Sequence, residues 1–545
     1  MRVRVGGGWW PGQAPAEAVS ALRTTLGPGA RILVVEHGGR SAHVVGAPGA
    51  LPQVWDADPD RVPDGPGAPG AWVGARWGAD RLHLVRDPIG HRSLYWATPA
   101  EGVLVFASTL AGVLAVPGVE RGIDPEAVVR FLVYAYLPGG RSLVRGIHAL
   151  PAGHRLSFGG EAPRVVREWE LPPVDEAPVA EAALRDTLRA ELEAVVDAHL
   201  PAPGAPVSAT LSGGIDSSLV LALATRRREV PAVAWSITFG APHRDELEFS
   251  ALLAAHVGAE HRVVSVTPAD VRARFDATVQ ALSAPNGDPL TVPNDRLFAA
   301  AAEVGDTLLN GEGGDPTFGG PKNGPMLLSA LFDDDRPGPA YLRAHQRLYD
   351  DLDGLLHADL DPAGLRTTLE DEVEAELGSR AGMVDALMAV NVVYKGAWHI
   401  LPKVDQLGAV HGVRPRSPLF DVRLVERAFR MPGPYKRRGA VEKYLLKEAV
   451  RDRVPAAIVD RPKSGMMVPV EAWFAGELRE WARERLMDSP HLCPFLRREV
   501  LEDLLAGRRL GLRPRRGVKL WCLLTLESWL RGVATPDRSA VGARP

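Results

Sequence analysis

The chain has 545 residues, 46% of them hydrophobic and 24% charged, which is typical of a globular protein with two or more domains. A formal net charge of −4 gives no electrostatic reason to expect nucleic acid as a partner. The only cysteines, Cys493 and Cys522, argue against a disulfide framework or a cysteine-rich zinc site and favour the reducing cytoplasm. Neither a signal peptide nor an apolar run of about 20 residues is visible, so no membrane partner is expected.

The first 170 residues contain short apolar runs separated by glycine and proline. Runs at residues 31–35, 82–85 and 102–106 predict strands. A helix is expected from Pro125 to about Tyr136. We therefore expect residues 1–170 to form an antiparallel β-rich domain.

Residues 171–180 are rich in proline and predict an extended linker. Residues 181–535 form the second predicted domain and begin with a packing helix whose apolar residues recur at spacings of three and four. Strand-like runs at 206–210, 233–237 and 261–266 then alternate with helical stretches. This order implies an α/β fold with a parallel sheet and ligands at the carboxyl ends of its strands. Residues 536–545 are a tail.

A glycine-containing turn follows the run at 206–210 and leads into a helix. Backbone N–H groups and the helix dipole make such a turn an anion site, whereas a bare phosphate would be disfavoured by Asp216. That carboxylate makes sense if it holds Mg²⁺ that bridges phosphates. The alternative is a serine-capped helix after a glycine turn. The predicted polyphosphate cradle comprises Leu211, Ser212, Gly213, Gly214, Asp216, Ser217 and Ser218.

A second glycine-rich loop follows the buried run that ends at Leu309. It contains Gly311, Glu312 and Asp315. If the two strands are neighbours, Glu312 and Asp315 project near the phosphate loop. An isolated loop of this kind would indicate only a turn, but the pair of loops is a specific signal for a nucleotide site.

This pair resembles the ATP-pyrophosphatase signature of the asparagine synthetase family. Later strings continue the resemblance in order, at residues 416–421, 442–449, 461–466 and 520–529. Residues 86–95, 106–111 and 147–154 resemble the latter half of the glutaminase domain of class II amidotransferases. The resemblance implies an N-terminal antiparallel β-rich, Ntn-type glutaminase-like domain. It also implies a C-terminal ATP-pyrophosphatase domain with a parallel sheet and many helices.

The resemblance further implies that ATP and Mg²⁺ are used to adenylate a carboxylate, after which an amine displaces AMP. Asp216 and Asp315 match the family's Mg²⁺ ligands. Lys443 matches a phosphate-contacting lysine, and Lys463 matches one that steadies charge in both steps. Glu312 could orient or deprotonate the amine. The predicted adenosine pocket comprises Ile237, Thr238, Phe239 and Gly311.

The glutaminase-like domain departs from the family at its nucleophile. In the family an N-terminal cysteine attacks glutamine, but here position 2 is Arg2 and no cysteine occurs before Cys493. Arginine cannot replace a thiolate nucleophile. We expect a structural or docking domain without glutaminase activity, and an amine carried by the substrate.

Several substrates are compatible with this chemistry. A lasso peptide macrolactam cyclase is favoured over a β-lactam synthetase or another small-molecule amide ligase, because β-lactam synthetases have tyrosine at the place of Glu312. Arg414, near the expected acyl site, would suit a substrate carboxylate, and residues 320–382 diverge most from the family. The expected partner is a ribosomal precursor peptide or a small amino-acid-like substrate, with a leader-binding protein and a leader peptidase as further candidates. A non-catalytic nucleotide-binding scaffold is the alternative from another class.

Overall fold

A computed structural model gives the fold of most of the chain. The ranges it describes are 4–27, 30–36, 41–44, 53–57, 65, 67–78, 80–175, 179–226, 232–243, 245–320, 336–344, 347–380, 382–462, 466–508 and 515–534.

The N-terminal region contains two sheets packed face to face. Their strands are β1 Val5–Trp9, β2 Arg31–Glu36, β3 Ser41–Val44, β4 Gln53–Ala57, β5 Trp72–Gly78, β6 Arg81–Arg86, β7 Tyr95–Ala100, β8 Val103–Ala107, β9 Ile147–Ala149, β10 His154–Phe158 and β11 Arg164–Arg167. One sheet has the order β3-β2-β1-β8-β7-β9 and the other β11-β10-β6-β5-β4. Only the β1–β2 pairing is parallel in these sheets. Alternate residues of both sheets meet in one core, where the rings of Trp9 and Phe158 lie 5.6 Å apart.

Three helices accompany these sheets, α1 Ala16–Leu26, α2 Leu110–Leu114 and α3 Pro125–Tyr134. The α3 helix begins where Asp124 accepts a hydrogen bond from the N–H of Glu126, and proline at the first position suits a helix start. Every residue of α3 from Ala127 to Tyr134 is buried. A helix buried all round must be covered on both sides, and α3 lies between the sheets and the C-terminal region.

The C-terminal region is built on a five-stranded parallel sheet. Its strands are β12 Val207–Thr210, β13 Ala232–Thr238, β14 Glu260–Ser265, β15 Thr307–Leu309 and β16 Arg414–Arg416, and a small hairpin joins β17 Arg437–Arg438 to β18 Val441–Glu442. The sheet order is β14-β13-β12-β15-β16. The central strand β12 is therefore flanked by β13 and β15, which confirms the α/β fold with a parallel sheet.

Helices surround this sheet. Those before residue 320 are α4 Glu181–His199, α5 Ile215–Thr225, α6 Leu247–Val257, α7 Pro268–Gln280, α8 Thr291–Ala301 and α9 Gly314–Phe318. Later α-helices span Pro337–Ala344, Leu352–Leu355, Pro362–Leu377, Met383–Val390, Leu401–Val410, Val422–Arg430, Gly433–Lys436, Tyr444–Val450, Ala456–Val459, Val470–Ala475, Arg479–Met487, Arg498–Ala506 and Arg516–Ala534. A π-helix spans Asn391–Ile400, and 3₁₀ turns span Tyr349–Asp351, Ala358–Leu360 and Pro418–Phe420. Within the described ranges, no helix combines the length and apolarity needed to cross a bilayer.

Arg86 fastens the N-terminal region to the C-terminal one. Its buried guanidinium donates hydrogen bonds of 2.6–2.9 Å to the carbonyl oxygens of Arg92, Leu150, Gly90 and Ala397. Ala397 belongs to the π-helix, and the guanidinium lies 4.6 Å from the centre of the adjacent Trp398 ring. Arg86, the first residue of the segment 86–95 that resembles the glutaminase domain, therefore helps to hold the two regions together.

Candidate active site

The turn between β12 and α5 has the shape expected of an anion site. Gly213 has φ +76°, and a Cβ there would lie 2.8 Å from the carbonyl oxygen of Glu246, so glycine is required. Gly214 is the N-cap of α5 and provides no side chain to satisfy the first N–H groups. Those N–H groups and the helix dipole favour an anion at this end of the helix.

The serines of the turn occupy different positions. Ser212 and Ser217 place their Oγ atoms 3.1 Å apart, and Ser217 Oγ also accepts from the Ser212 N–H at 3.1 Å. Ser218 is fully buried in α5. Leu211 is buried too, and its N–H donates to Trp235 in β13 at 2.7 Å. The structure therefore gathers all the predicted cradle residues, with Ser212 and Ser217 as its paired hydroxyls.

The second loop packs directly onto this turn, as the prediction of neighbouring strands requires. The strands β12 and β15 pair through Ala209 and Leu309. A Cβ on Gly311 would lie 2.4 Å from the Ser217 nitrogen, and one on Gly314 would lie 2.1 Å from Asp216 Oδ1. Glycine at both positions is what lets the loops touch.

Lys443 joins the two carboxylates that the sequence assigns to magnesium. Its Nζ lies 2.6 and 2.7 Å from the oxygens of Asp216 and 2.5 Å from Asp315 Oδ1. Lys443 has φ +52°, a left-handed conformation that is costly for a residue other than glycine and is often found at functional sites. Two carboxylates that converge on one cation, and that can be completed by phosphate oxygens, form a donor set that fits Mg²⁺.

The predicted adenosine side lies at the carboxyl end of β13. Thr238 Oγ1 donates to Asp245 Oδ2 at 2.8 Å. The Phe239 ring meets Trp473 edge-on at 5.6 Å. Ile237 is buried against the core. These residues lie beside β12, so the pocket borders the phosphate turn.

Lys463 lies outside the described residues, but the segment before it is fixed. Arg461 forms a 2.8 Å ion pair with Glu246, and its guanidinium lies 4.0 Å from the centre of the Phe249 ring. Since Glu246 borders Gly213, the described part of this basic segment approaches the phosphate turn.

Glu312 lies near a buried ion pair that sequence reasoning missed. Lys403 Nζ is 2.6 Å from Asp288 Oδ2. Burial alone would lower the pKa of Lys403, but the charges of Asp288 and Glu312 outweigh burial and raise it. Lys403 and Asp288 are 115 positions apart, so no local pattern could have paired them. Trp473, which follows the basic string in the part that resembles the family, was expected there, but its contact with Phe239 was not predicted. The pairing of Arg461 with Glu246 was also missed.

Arg414, which the sequence analysis expects near the acyl site, lies in the edge strand β16. Arg414 pairs with Thr307 at the amino end of β16, and its guanidinium is held 2.6 Å from Asp306. The phosphate turn lies at the opposite, carboxyl edge of the sheet. Arg414 also lines a cavity of about 250 Å³ to which both regions contribute residues, and its place near the acyl site stays a prediction.

Known proteins share both regions of the chain. The asparagine synthase family model matches residues 187–531, and the glutamine amidotransferase domain model matches residues 70–169. A putative glutamine-hydrolyzing asparagine synthetase of Mycobacterium tuberculosis is 29% identical over 494 residues, covering 82% of this chain and 74% of that protein. Glutamine-hydrolyzing asparagine synthetase 1 of Bacillus subtilis is 23% identical over 493 residues, covering 82% and 75%. The carboxyethyl-arginine β-lactam-synthase of Streptomyces clavuligerus is 24% identical over 391 residues, covering 71% and 62%.

Proposed function

The chain belongs to the asparagine synthase family, and we propose that it forms an amide bond by adenylating a substrate carboxylate. A carboxylate oxygen attacks the α-phosphorus of ATP, the bond to the β-phosphate breaks, and acyl-AMP and pyrophosphate form. An amine then attacks the acyl carbon, AMP leaves, and the amine loses a proton. ATP-dependent amide ligation is the chemistry that the family supports in general.

The observation that carries this proposal is the convergence of the glycine turn, Asp216, Asp315 and Lys443 at the carboxyl edge of the sheet. The turn and the Lys443 ammonium would bind and orient the polyphosphate. Magnesium held by Asp216 and Asp315 would neutralise the charge of the pyrophosphate group. Lys463 is proposed to steady charge in both steps, and Glu312 to orient the amine or accept its proton.

We further propose that the amine belongs to the substrate itself. The printed sequence has no cysteine before Cys493, and Cys522 is buried in the last helix. The N-terminal region therefore has no thiol with which to release ammonia from glutamine. A glutaminase assay should detect no glutamate, and added ammonia should not replace the substrate amine.

The favoured product is a macrolactam of the lasso peptide type, in which an Asp or Glu side chain joins a peptide's N-terminal amine. The presence of Glu312, where β-lactam synthetases have tyrosine, supports this choice. The second candidate is a β-lactam or other small-molecule amide, which the similarity to the Streptomyces clavuligerus enzyme favours.

The test is ATP–pyrophosphate exchange combined with mass spectrometry. Peptides encoded beside the gene and small amino-acid derivatives are offered in turn. Loss of one water from a peptide with formation of AMP supports the cyclase, whereas the same loss from a small molecule supports the second candidate. Formation of ADP would exclude adenylation.

A matched pair of variants separates catalysis from simple nucleotide binding. Asp315→Asn should abolish exchange, whereas Asp306→Asn, at the opposite edge of the same sheet, should preserve it. If no acceptor supports exchange and Asp315→Asn binds nucleotide as the wild type does, the chain is a non-catalytic nucleotide-binding scaffold.

A further inference from the structure

The cavity lined by Arg414 receives positive charge from both regions of the chain. Arg4, just before β1, and Arg92, between β6 and β7, line it from the N-terminal region. Arg414 and Arg416 line it from β16. The latter two are two positions apart in a strand, so their side chains leave the same face of the sheet. We call the space lined by these four arginines the inter-region cavity.

Three aspartates also line the inter-region cavity, but they do not balance its arginines. Asp306 holds the Arg414 guanidinium at 2.6 Å. Asp421 is held at 2.8 and 2.9 Å by Arg423, which is not a lining residue. The third aspartate is Asp405. Once Asp421 is set against Arg423, four arginines face two aspartates, so two positive charges are in excess among the described lining residues.

The two histidines of the lining do not change this balance. Burial lowers the pKa of His199 to about 4, so its ring is neutral at neutral pH. His91 places its Nδ1 2.9 Å from Asp87 Oδ1, so any proton it carries is matched by that carboxylate. The excess positive charge of the inter-region cavity therefore comes from its arginines.

Apolar side chains lie among these charged groups. Leu26 and Ala71 contribute from the N-terminal region, and Ala409, Val413 and Pro415 from the C-terminal one. The volume of about 250 Å³ is several times the roughly 30 Å³ that one water occupies in the liquid. The inter-region cavity therefore has room for a short aliphatic chain as well as for charged groups.

The sheet ends at β16, but the free edge of this strand does not suit an added peptide strand. The Arg414 N–H donates to the Asp306 carbonyl at 2.6 Å, and the Val413 N–H donates to the Gly408 carbonyl at 2.8 Å. Pro415 has no N–H. A peptide that pairs as a strand needs backbone donors along the edge. The lining therefore favours a small molecule that is bound by side chains.

We propose that the inter-region cavity binds a small aliphatic dicarboxylate, with the arginines of one region at each carboxylate. A guanidinium matches the planar shape and the charge of a carboxylate, and the two excess charges match two such groups. The apolar lining would contact the methylene groups between them. This inference goes beyond the proposed function, because Asp216, Asp315 and Lys443 are not among the residues that line the cavity.

A ligand in the inter-region cavity would also restrain the second glycine loop. The Arg416 carbonyl accepts a hydrogen bond from the Asn310 N–H at 2.9 Å, and Asn310 Oδ1 accepts one from the Glu312 N–H at 3.1 Å. Beyond β16, the Leu419 carbonyl accepts from Thr317 Oγ1 at 3.1 Å. Fixing β16 against the N-terminal region would therefore hold the loop that carries Glu312.

Calorimetric titration of the full chain tests the inter-region cavity without catalysis. Succinate is compared with succinamate, which has the same chain but one carboxylate fewer, and with inorganic phosphate. Succinate should bind about tenfold more tightly than succinamate, and more tightly than phosphate. Absence of succinate binding, equal binding of succinamate, or phosphate binding at least as tight as that of succinate would overturn the inference.

Variants on both sides of the inter-region cavity locate the bound succinate. Arg414→Gln and Arg92→Gln should each weaken succinate binding about tenfold and remove the preference over succinamate. If Arg92→Gln does not fold, Arg4→Gln takes its place on the same side. The control Arg366→Gln, which removes an arginine paired with Asp353 at 2.8 Å, should bind as the wild type does. Undiminished binding by the variant of either side would overturn the inference.

Amide hydrogen exchange tests whether the ligand holds the two regions together. At succinate concentrations ten times its Kd, exchange should slow about tenfold in residues 90–95 and in residues 306–312 alike, because opening must first release the ligand. Slowing in one of these segments only, or in neither, would overturn the claim that the dicarboxylate joins the regions.

Discussion

Replacing Lys443 with methionine is expected to destabilise the protein and to make its stability depend on magnesium. The Lys443 side chain is 1% exposed, and its partners Asp216 and Asp315 are 12% and 20% exposed. Methionine keeps the apolar stem but leaves two nearby carboxylates without their shared cation. Removing one partner of a buried ion pair costs about 3–5 kcal/mol, and the partial exposure of Asp315 places the expected loss near the lower end.

The assay is guanidinium chloride unfolding followed by tryptophan fluorescence, first with a chelator and then with magnesium chloride. The Lys443→Met variant should lose about 3 kcal/mol of unfolding free energy in the chelator. Magnesium should restore part of that loss, because the cation binds the same carboxylates in the folded state only. Adding Asp315→Asn to the variant should also restore stability, because one of the two like charges is removed.

Lys447→Met is the matched control. Lys447 is buried in the helix Tyr444–Val450 that directly follows Lys443, and it pairs with Glu442 at 3.1 Å rather than with either aspartate. The unfolding free energy of Lys447→Met should not depend on magnesium. If Lys443→Met is as stable as the wild type in the chelator, or if magnesium stabilises both variants equally, the assignment of the Asp216–Asp315 pair as a cation site is wrong.

Three further predictions concern other features. Gly314→Ala should abolish pyrophosphate exchange while the far-ultraviolet circular dichroism stays unchanged, because the new methyl group would lie 2.1 Å from Asp216 Oδ1. Arg86→Met should lower the unfolding free energy by about 3 kcal/mol in chemical denaturation, because it leaves buried carbonyl groups without donors; unaltered stability would contradict this role. Burial lowers the pKa of His199 to about 4, so the unfolded chain binds an extra proton between that value and about 6.5. The unfolding free energy should therefore fall by about 2 kcal/mol from pH 7.5 to pH 5, and denaturation of His199→Gln should show a smaller fall.

The parallel sheet and the phosphate turn could be predicted because their signals are local. Apolar runs bounded by glycine predicted β12 and β13, and the two glycine loops were expected to meet if their strands were neighbours. The structure confirms that meeting through the β12–β15 pair. The close approach at Gly311 and Gly314 explains why both loops need glycine.

Partnerships between distant residues could not be predicted in this way. The pairing of Lys403 with Asp288 depends on how distant segments pack, and no periodic pattern in the sequence predicts it. The strand β16 has only three residues and gave no signal in the sequence, so the position of Arg414 at its amino end could not be predicted.

The N-terminal region has a structural role that does not depend on glutaminase chemistry. Arg86 donates to carbonyl groups on both sides of the boundary, and α3 is buried all round. Deleting the region would expose that apolar surface and leave the π-helix without its partner at Ala397. Loss of the region would affect stability, so the region is expected to be kept whether or not it hydrolyses glutamine.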